Sequence, residues 1–329
     1  MPWQLAGISI QGAAHLRRGQ ANQDAHLCRH DPDSGTSIIA VADGHGSAPY
    51  TRSDVGARLA VTAAADALAA CLARTGPLAA AIEALPFDLV QRWRLAVDDH
   101  LAQCPPTPDT ASATTQPRQG PFLRYLAYGT TVIALGLRGE DLLVVQTGDG
   151  QAMLVGGNAP PWNLLPEDLR LGAGPTTSLC TPDAVRHVRV AAWRLADIAA
   201  DAPALLLLTT DGWHNCFMQD SDFRAALHAL RDLVAQHGLP PIATRLAPWL
   251  SRCSARGSGD DCTLALAWAG GLSAEPGTHA THQRIDHRLV ELGHVLSDAR
   301  RRLRAGLGLV LTALLLIAAA AVARRAGWG

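Results

Sequence analysis

Five aspartates in this chain are placed so that they could gather into one cation site. They are Asp24 in ANQDA, Asp43 in IIAVADGHG, Asp149 in LLVVQTGDG, Asp211 in LLLLTTDGW and Asp260 in GSGDDCTLALAW. Each stands where an apolar run gives way to glycine or polar residues. Most of those runs have the length and the leucine or β-branched content of a buried strand, which puts the acids at strand ends. A single strand-end Asp-Gly is ordinary turn chemistry, because Asp bonds its own backbone and Gly accepts positive φ. Asp43, Asp149 and Asp211 repeat that pattern, and Asp24 and Asp260 add two further acidic turns. Carboxylates gathered without basic partners repel one another unless a divalent cation neutralises them. An all-oxygen donor set suits Mg²⁺ or Mn²⁺.

The elements that must position these acids alternate in type. Thr51 to Arg74 is alanine-rich with apolar positions at helical spacing, and Leu85 to Gln103 continues that character. Residues 104–121 combine proline, threonine and serine with few apolar side chains, and are expected to form a flexible surface loop. Thr131 to Arg138, Asp141 to Thr147 and Gln151 to Val155 read as three strands with connections short enough for an antiparallel meander. Residues 156–182, rich in proline and glycine, are expected to be a flap over one end of the sheet. Strands at Val185 to Trp193, Ala204 to Thr209 and Thr263 to Trp268, and helices at Phe223 to Gln236 and Pro240 to Cys253, complete a layered α+β domain over residues 1–270.

The 329 residues are 48% hydrophobic, enough for a sizeable core, and the net charge of −1 with dispersed basic residues argues against nucleic-acid binding. The seven cysteines show no CxxC pairing and read as small buried hydrophobes in a reducing compartment. The opening residues carry no signal-peptide pattern.

The far end of the chain has a different character. Residues 271–304 begin as a linker, and Ile285, Leu289, Leu292, Val295, Leu296 and Leu303 then fall roughly on one face of an amphipathic helix. That helix could be a stalk, a dimer contact or a segment lying on a membrane surface. Residues 305–323 carry no charge and, as a helix, would span roughly 28 Å, about the thickness of a bilayer core. A buried core helix is the competing reading. Arg300, Arg301, Arg302 and Arg304 precede this segment, and only Arg324 and Arg325 come after it. That asymmetry predicts a single-pass anchor in the inner membrane, with residues 324–329 outside and residues 1–270 in the cytoplasm.

In order along the chain stand NQD, ADGHG, GTT, GDG, TTDG and GDDCT, from about Gly7 to Trp268. By these motifs the chain resembles bacterial metal-dependent Ser/Thr protein phosphatases of the 2C (PPM) type. The resemblance implies a central β-sandwich of two mainly antiparallel sheets flanked by helices, a four-layer αββα arrangement. It implies that Asp43 bridges two Mn²⁺ or Mg²⁺ ions with help from the Gly44 carbonyl, and that Asp211 and Asp260 hold the other ion. Asp149 would serve a third, weaker site, Asp24 would act on the metal through a bound water or stand behind the ligands, and Asp261 would stand behind them too.

The implied chemistry is attack on a phosphoserine or phosphothreonine ester by a hydroxide bridging the two ions. His45 would protonate the leaving oxygen from near its ordinary pKa of about 6.5. Arg18, rather than Arg17, is expected to bind the phosphate. Two positions depart from the family pattern: Gln23 stands where an acid is common, and so does Asn215. The implied partners are a phosphorylated protein and an opposing Ser/Thr kinase. The competing function is a pseudophosphatase that binds phosphoproteins at the membrane without turnover.

Overall fold

The computed structural model describes residues 3–270 except 75–77, 107–121, 158, 166–175 and 199–203. The expected anchor, the amphipathic segment, most of the 104–121 loop and the middle of the 156–182 flap lie outside the described residues. The strands are β1 (Gln4–Ile10), β2 (Asp24–Asp31), β3 (Thr36–Asp43), β4 (Val132–Arg138), β5 (Asp141–Thr147), β6 (Gln151–Val155), β7 (Trp162–Asn163), β8 (Arg189–Arg194), β9 (Leu205–Thr209) and β10 (Cys262–Trp268). The helices are α1 (Ala13–Arg18), α2 (Ser53–Leu72), α3 (Leu78–Gln103), α4 (Leu123–Leu126), α5 (Leu195–Ile198), α6 (Asp211–His214), α7 (Asp220–His237) and α8 (Leu239–Arg256).

Two five-stranded sheets form, one ordered β1-β10-β9-β6-β7 and the other β2-β3-β4-β5-β8, and every pair of neighbouring strands in them is antiparallel. Three apolar layers hold them together. Between the sheets lie Ile39, Val41, Leu135, Val144, Leu206, Leu208 and Ala265. The alternate residues of the same strands, such as Ile38, Ala40 and Ala134, pack outward against α2 and α3. On the other side, Leu205, Leu207, Leu264 and Leu266 pack against Leu227, Leu246 and Trp249 of α7 and α8. Strands covered on both faces need unbroken apolar runs, which is why IIAVA, LLLL and TLALAW lack polar alternation. The four-layer expectation therefore holds.

Helix α2 has the length and apolar content of a membrane span, but its alanines close onto β3 and β4 and it is a core helix. Trp93 of α3 is fully buried beside it and donates its indole N–H to the Gly56 carbonyl at 3.0 Å.

Two local expectations are corrected. The meander does not continue past β5: β4 pairs with β5, but β6 pairs with β9 and β7 in the opposite sheet. The turn through Gly148, Asp149 and Gly150 is a crossing between sheets and not a hairpin. The strand expected from Val185 starts four residues later, because Ala184–His187 forms a 3₁₀ turn closed by the Arg186 N–H on the Asp183 carbonyl at 2.9 Å.

Candidate metal centre

One end of the sandwich collects the ends of strands from both sheets. In the β2–β3 register Asp24 lies opposite Asp43. Asp149 occupies the crossing after β5, Asp211 comes after β9 and begins α6, and Asp260 lies just ahead of β10. Asp43, Asp149, Asp211 and Asp260 line one cleft of about 500 Å³, together with Gly44, His45 and Arg18.

Each acid is held by its own backbone surroundings. The Asp43 carbonyl accepts from the Thr131 N–H at 2.8 Å and the Thr130 hydroxyl at 2.8 Å, while the Asp43 N–H donates to the Thr131 hydroxyl at 3.1 Å. This is the structural work of the GTT motif. At Gly44 a Cβ would lie 2.6 Å from the Ser53 carbonyl oxygen and 2.7 Å from that of Gln23, so only glycine lets α2 and the β2 entry close around the loop. Gly212 is more constrained, since a Cβ there would come within 1.8 Å of the Asp261 carbonyl oxygen. The two halves of the site thus touch backbone to backbone.

The carboxylates divide by environment. Asp211 Oδ2 accepts from the Asn215 side-chain amide at 2.9 Å, whereas Asp211 Oδ1 is buried without a hydrogen-bond partner. Asp149 accepts from the Thr176 hydroxyl at 2.8 Å, so the described end of the flap holds a site residue. Burial pushes the Asp43 carboxyl well above the usual range, and the negative charges of Asp24, Asp211 and Asp260 add to it. Burial also raises Asp211, with Asp149 and Asp260 repelling it.

A hard divalent cation fits this donor set. A buried, unpartnered carboxylate oxygen beside mutually repelling acids is the arrangement such a charge relieves. Among the described residues, no three His, Cys, Asp or Glu side chains are already closed around a single point.

Asp24 takes the place behind the ligands that is one of its two expected roles. Its carboxylate is buried and lies outside the lining of the cleft, accepting from the Thr210 hydroxyl at 2.8 Å and the Thr263 hydroxyl at 2.7 Å. It links β2 to the neighbouring sheet behind the other acids. Gln23 does reach the cleft, and its amide donates to the Ser53 hydroxyl at 2.8 Å.

His45 lies on the cleft wall, its ring edge-on to Tyr50 with centroids 4.7 Å apart. Burial pulls its pKa below the ordinary histidine value, and the negative Asp149 opposes that shift. The expectation of a near-ordinary value is corrected accordingly. Of the two candidate arginines, Arg18 lines the cleft and Arg17 does not; both are exposed on α1.

Asp261 stands behind Asp260, buried, and accepts from the Gly12 N–H at 2.6 Å, the Gln23 N–H at 2.7 Å and His15 Nδ1 at 2.9 Å. The last of these partners went unread in the sequence. His15 lines the cleft, with Nε2 3.5 Å from Asp260 Oδ1. A lone histidine on a six-residue helix carries no periodic or spacing signal.

A family model described as protein phosphatase 2C matches residues 11–251. Among solved structures, the chain is 20% identical to PppA, a regulatory component of T6SS in Pseudomonas aeruginosa. The match covers 81% of this chain and 97% of that one, with a TM-score of 0.51. A bacterial serine phosphatase is 15% identical over 82% and 98% of the respective chains, with a TM-score of 0.53. A C. elegans sex determining protein is 14% identical over 88% and 68%, with a TM-score of 0.50. At these identities the likeness establishes the fold. Comparison with curated proteins gives no match.

Proposed function

The chain belongs to the protein phosphatase 2C family, and from that premise we propose that it hydrolyses phosphoserine and phosphothreonine esters on proteins with the help of Mn²⁺ or Mg²⁺. The observation that carries the reading is the unpartnered, buried Asp211 Oδ1 beside Asp43, in a cleft that also holds His45 and Arg18. Asp43, Asp211 and Asp260 are the acids that would hold two ions, with the Gly44 carbonyl beside them and Asp149 available for a weaker third. Bound there, such ions supply Lewis-acid charge for the phosphate oxygens and make water acidic enough to attack at neutral pH.

The protein's own groups do the rest. Arg18, exposed at the rim, meets the phosphate dianion as it enters with a planar, bidentate cation. His45 faces the cleft and delivers a proton to the departing seryl or threonyl oxygen, a step worth about 10²–10⁴ in rate. Tyr50 fixes the plane of that ring, and the Asp149 charge favours its protonated form against burial.

The direct test is phosphate release from a phosphothreonine peptide by the full chain. Release is expected with Mn²⁺ or Mg²⁺, is abolished by chelation, and falls to background in Asp43→Asn and Asp211→Asn. Activity unchanged in those variants would overturn the reading; peptide binding without any release would establish the pseudophosphatase instead. The reading extends to a role opposing a Ser/Thr kinase from the cytoplasmic face of the inner membrane. Its support is the apolar run at 305–323 and the arginines before it.

A further inference from the structure

The cleft contains a nitrogen donor that the acids alone do not account for. Asp261 is a buried carboxylate whose Oδ1 accepts from the Gly12 N–H at 2.6 Å and lies 2.9 Å from His15 Nδ1. A carboxylate can only accept, so the hydrogen between the two belongs to Nδ1. With Nδ1 carrying it, the neutral imidazole presents its lone pair at Nε2. The ring is turned so that this atom faces the cleft, 3.5 Å from Asp260 Oδ1, and the side chain is only 13% exposed. A carboxylate fixing one ring nitrogen so that the other points at a cation is the arrangement by which proteins orient histidine ligands.

We propose that His15 is a metal ligand, supplying an imidazole nitrogen to the same ion as Asp260. The inference rests on the phosphatase reading only in requiring that a divalent ion occupy the cleft. Distance supports it: two donors each about 2.1 Å from one ion lie about 3.0–3.4 Å apart at octahedral to tetrahedral angles, close to the separation seen here. Position supports it as well. Asp261 also accepts from the Gln23 N–H at 2.7 Å, so the carboxylate that orients His15 is itself pinned to the strand entry beside Asp43. Chemistry gives the consequence. Imidazole suits first-row transition metals more than Mg²⁺, so this ligand biases the centre toward Mn²⁺ or a later metal.

The rival arrangement is a doubly protonated His15 joining Asp260 and Asp261 as an ion pair, with no bond to metal. Pulsed electron paramagnetic resonance on the Mn²⁺-loaded full chain separates the two. A directly bound imidazole gives ¹⁴N modulation that changes when histidine alone is labelled with ¹⁵N, and this measurement needs no variant. The modulation should disappear in His15→Gln, with Mn²⁺ affinity weakened by at least the roughly 10–100-fold that loss of a ligand's outer partner costs and Mg²⁺ affinity changed less. Mn²⁺ bound without nitrogen coupling, or with coupling that survives in a folded His15→Gln, overturns the ligand and leaves the phosphatase reading intact. A wild type that binds no Mn²⁺ overturns both.

Discussion

At the scale of residues, the acids of the cleft are not interchangeable, and Asp24 shows this most directly. Two threonine hydroxyls converge on its Oδ2, and burial is the main cause of a carboxyl held well above the usual range, with Asp261 and Asp211 repelling it further. Asp24→Asn keeps an acceptor for both hydroxyls and removes a buried, repelled charge, so it should raise the melting temperature measured in chelator. Asp24→Ala should lower stability by about 1–3 kcal/mol, because Thr210 and Thr263 lose their acceptor; a urea titration of the two variants reads the difference. That five aspartates matter was legible in the sequence, because each ends an apolar run. Their division of labour was not. It depends on contacts between residues far apart in the chain, such as Thr263 with Asp24 and His15 with Asp261, 239 and 246 positions apart.

At the scale of elements, the site depends on how closely two short segments approach. Helix α6 begins at Asp211, and its second residue, Gly212, lies against the loop that carries Asp260 and Asp261. Gly212→Ala would force those segments apart. It should cost at least the roughly 1–3 kcal/mol typical of overpacking, and Mn²⁺ affinity should fall with it, since Asp211 and Asp260 could no longer converge. Thermal melting and calorimetric titration measure the two effects, and a variant with wild-type metal affinity would refute the coupling. Helices α2, α3, α7 and α8 could be read from apolar spacing. The placement of β6 could not: its hydrophobic content suits either sheet, and the choice is made by the Asp149 crossing and by Leu206 and Leu207 in the partner strand. The short α1 was equally hidden, although it carries both His15 and Arg18.

At the scale of the whole molecule, three apolar layers fix two sheets whose open ends share one cleft, and that general plan was visible in the order of the motifs and the unbroken strands. The proposed membrane tether would rest on the apolar run at 305–323; on that proposal, removing residues 305–329 should move the protein from the membrane fraction to the soluble fraction while leaving phosphate release intact. Retention in the membrane after that deletion would refute the tether.

Strands β1 and β10 pair along their whole length. Gln4 lies opposite Trp268 and Ile10 opposite Cys262, and Cys262 adjoins Asp261 at the cleft. Trp268, where β10 ends, is therefore at the opposite pole, roughly 20 Å away along the strand. If the proposed tether lies beyond Trp268, the chain leaves the domain at the end opposite the cleft. On that proposal the cleft and the exit toward the anchor would lie at opposite ends of the sandwich, so a phosphoprotein could reach the cleft without passing the anchored end.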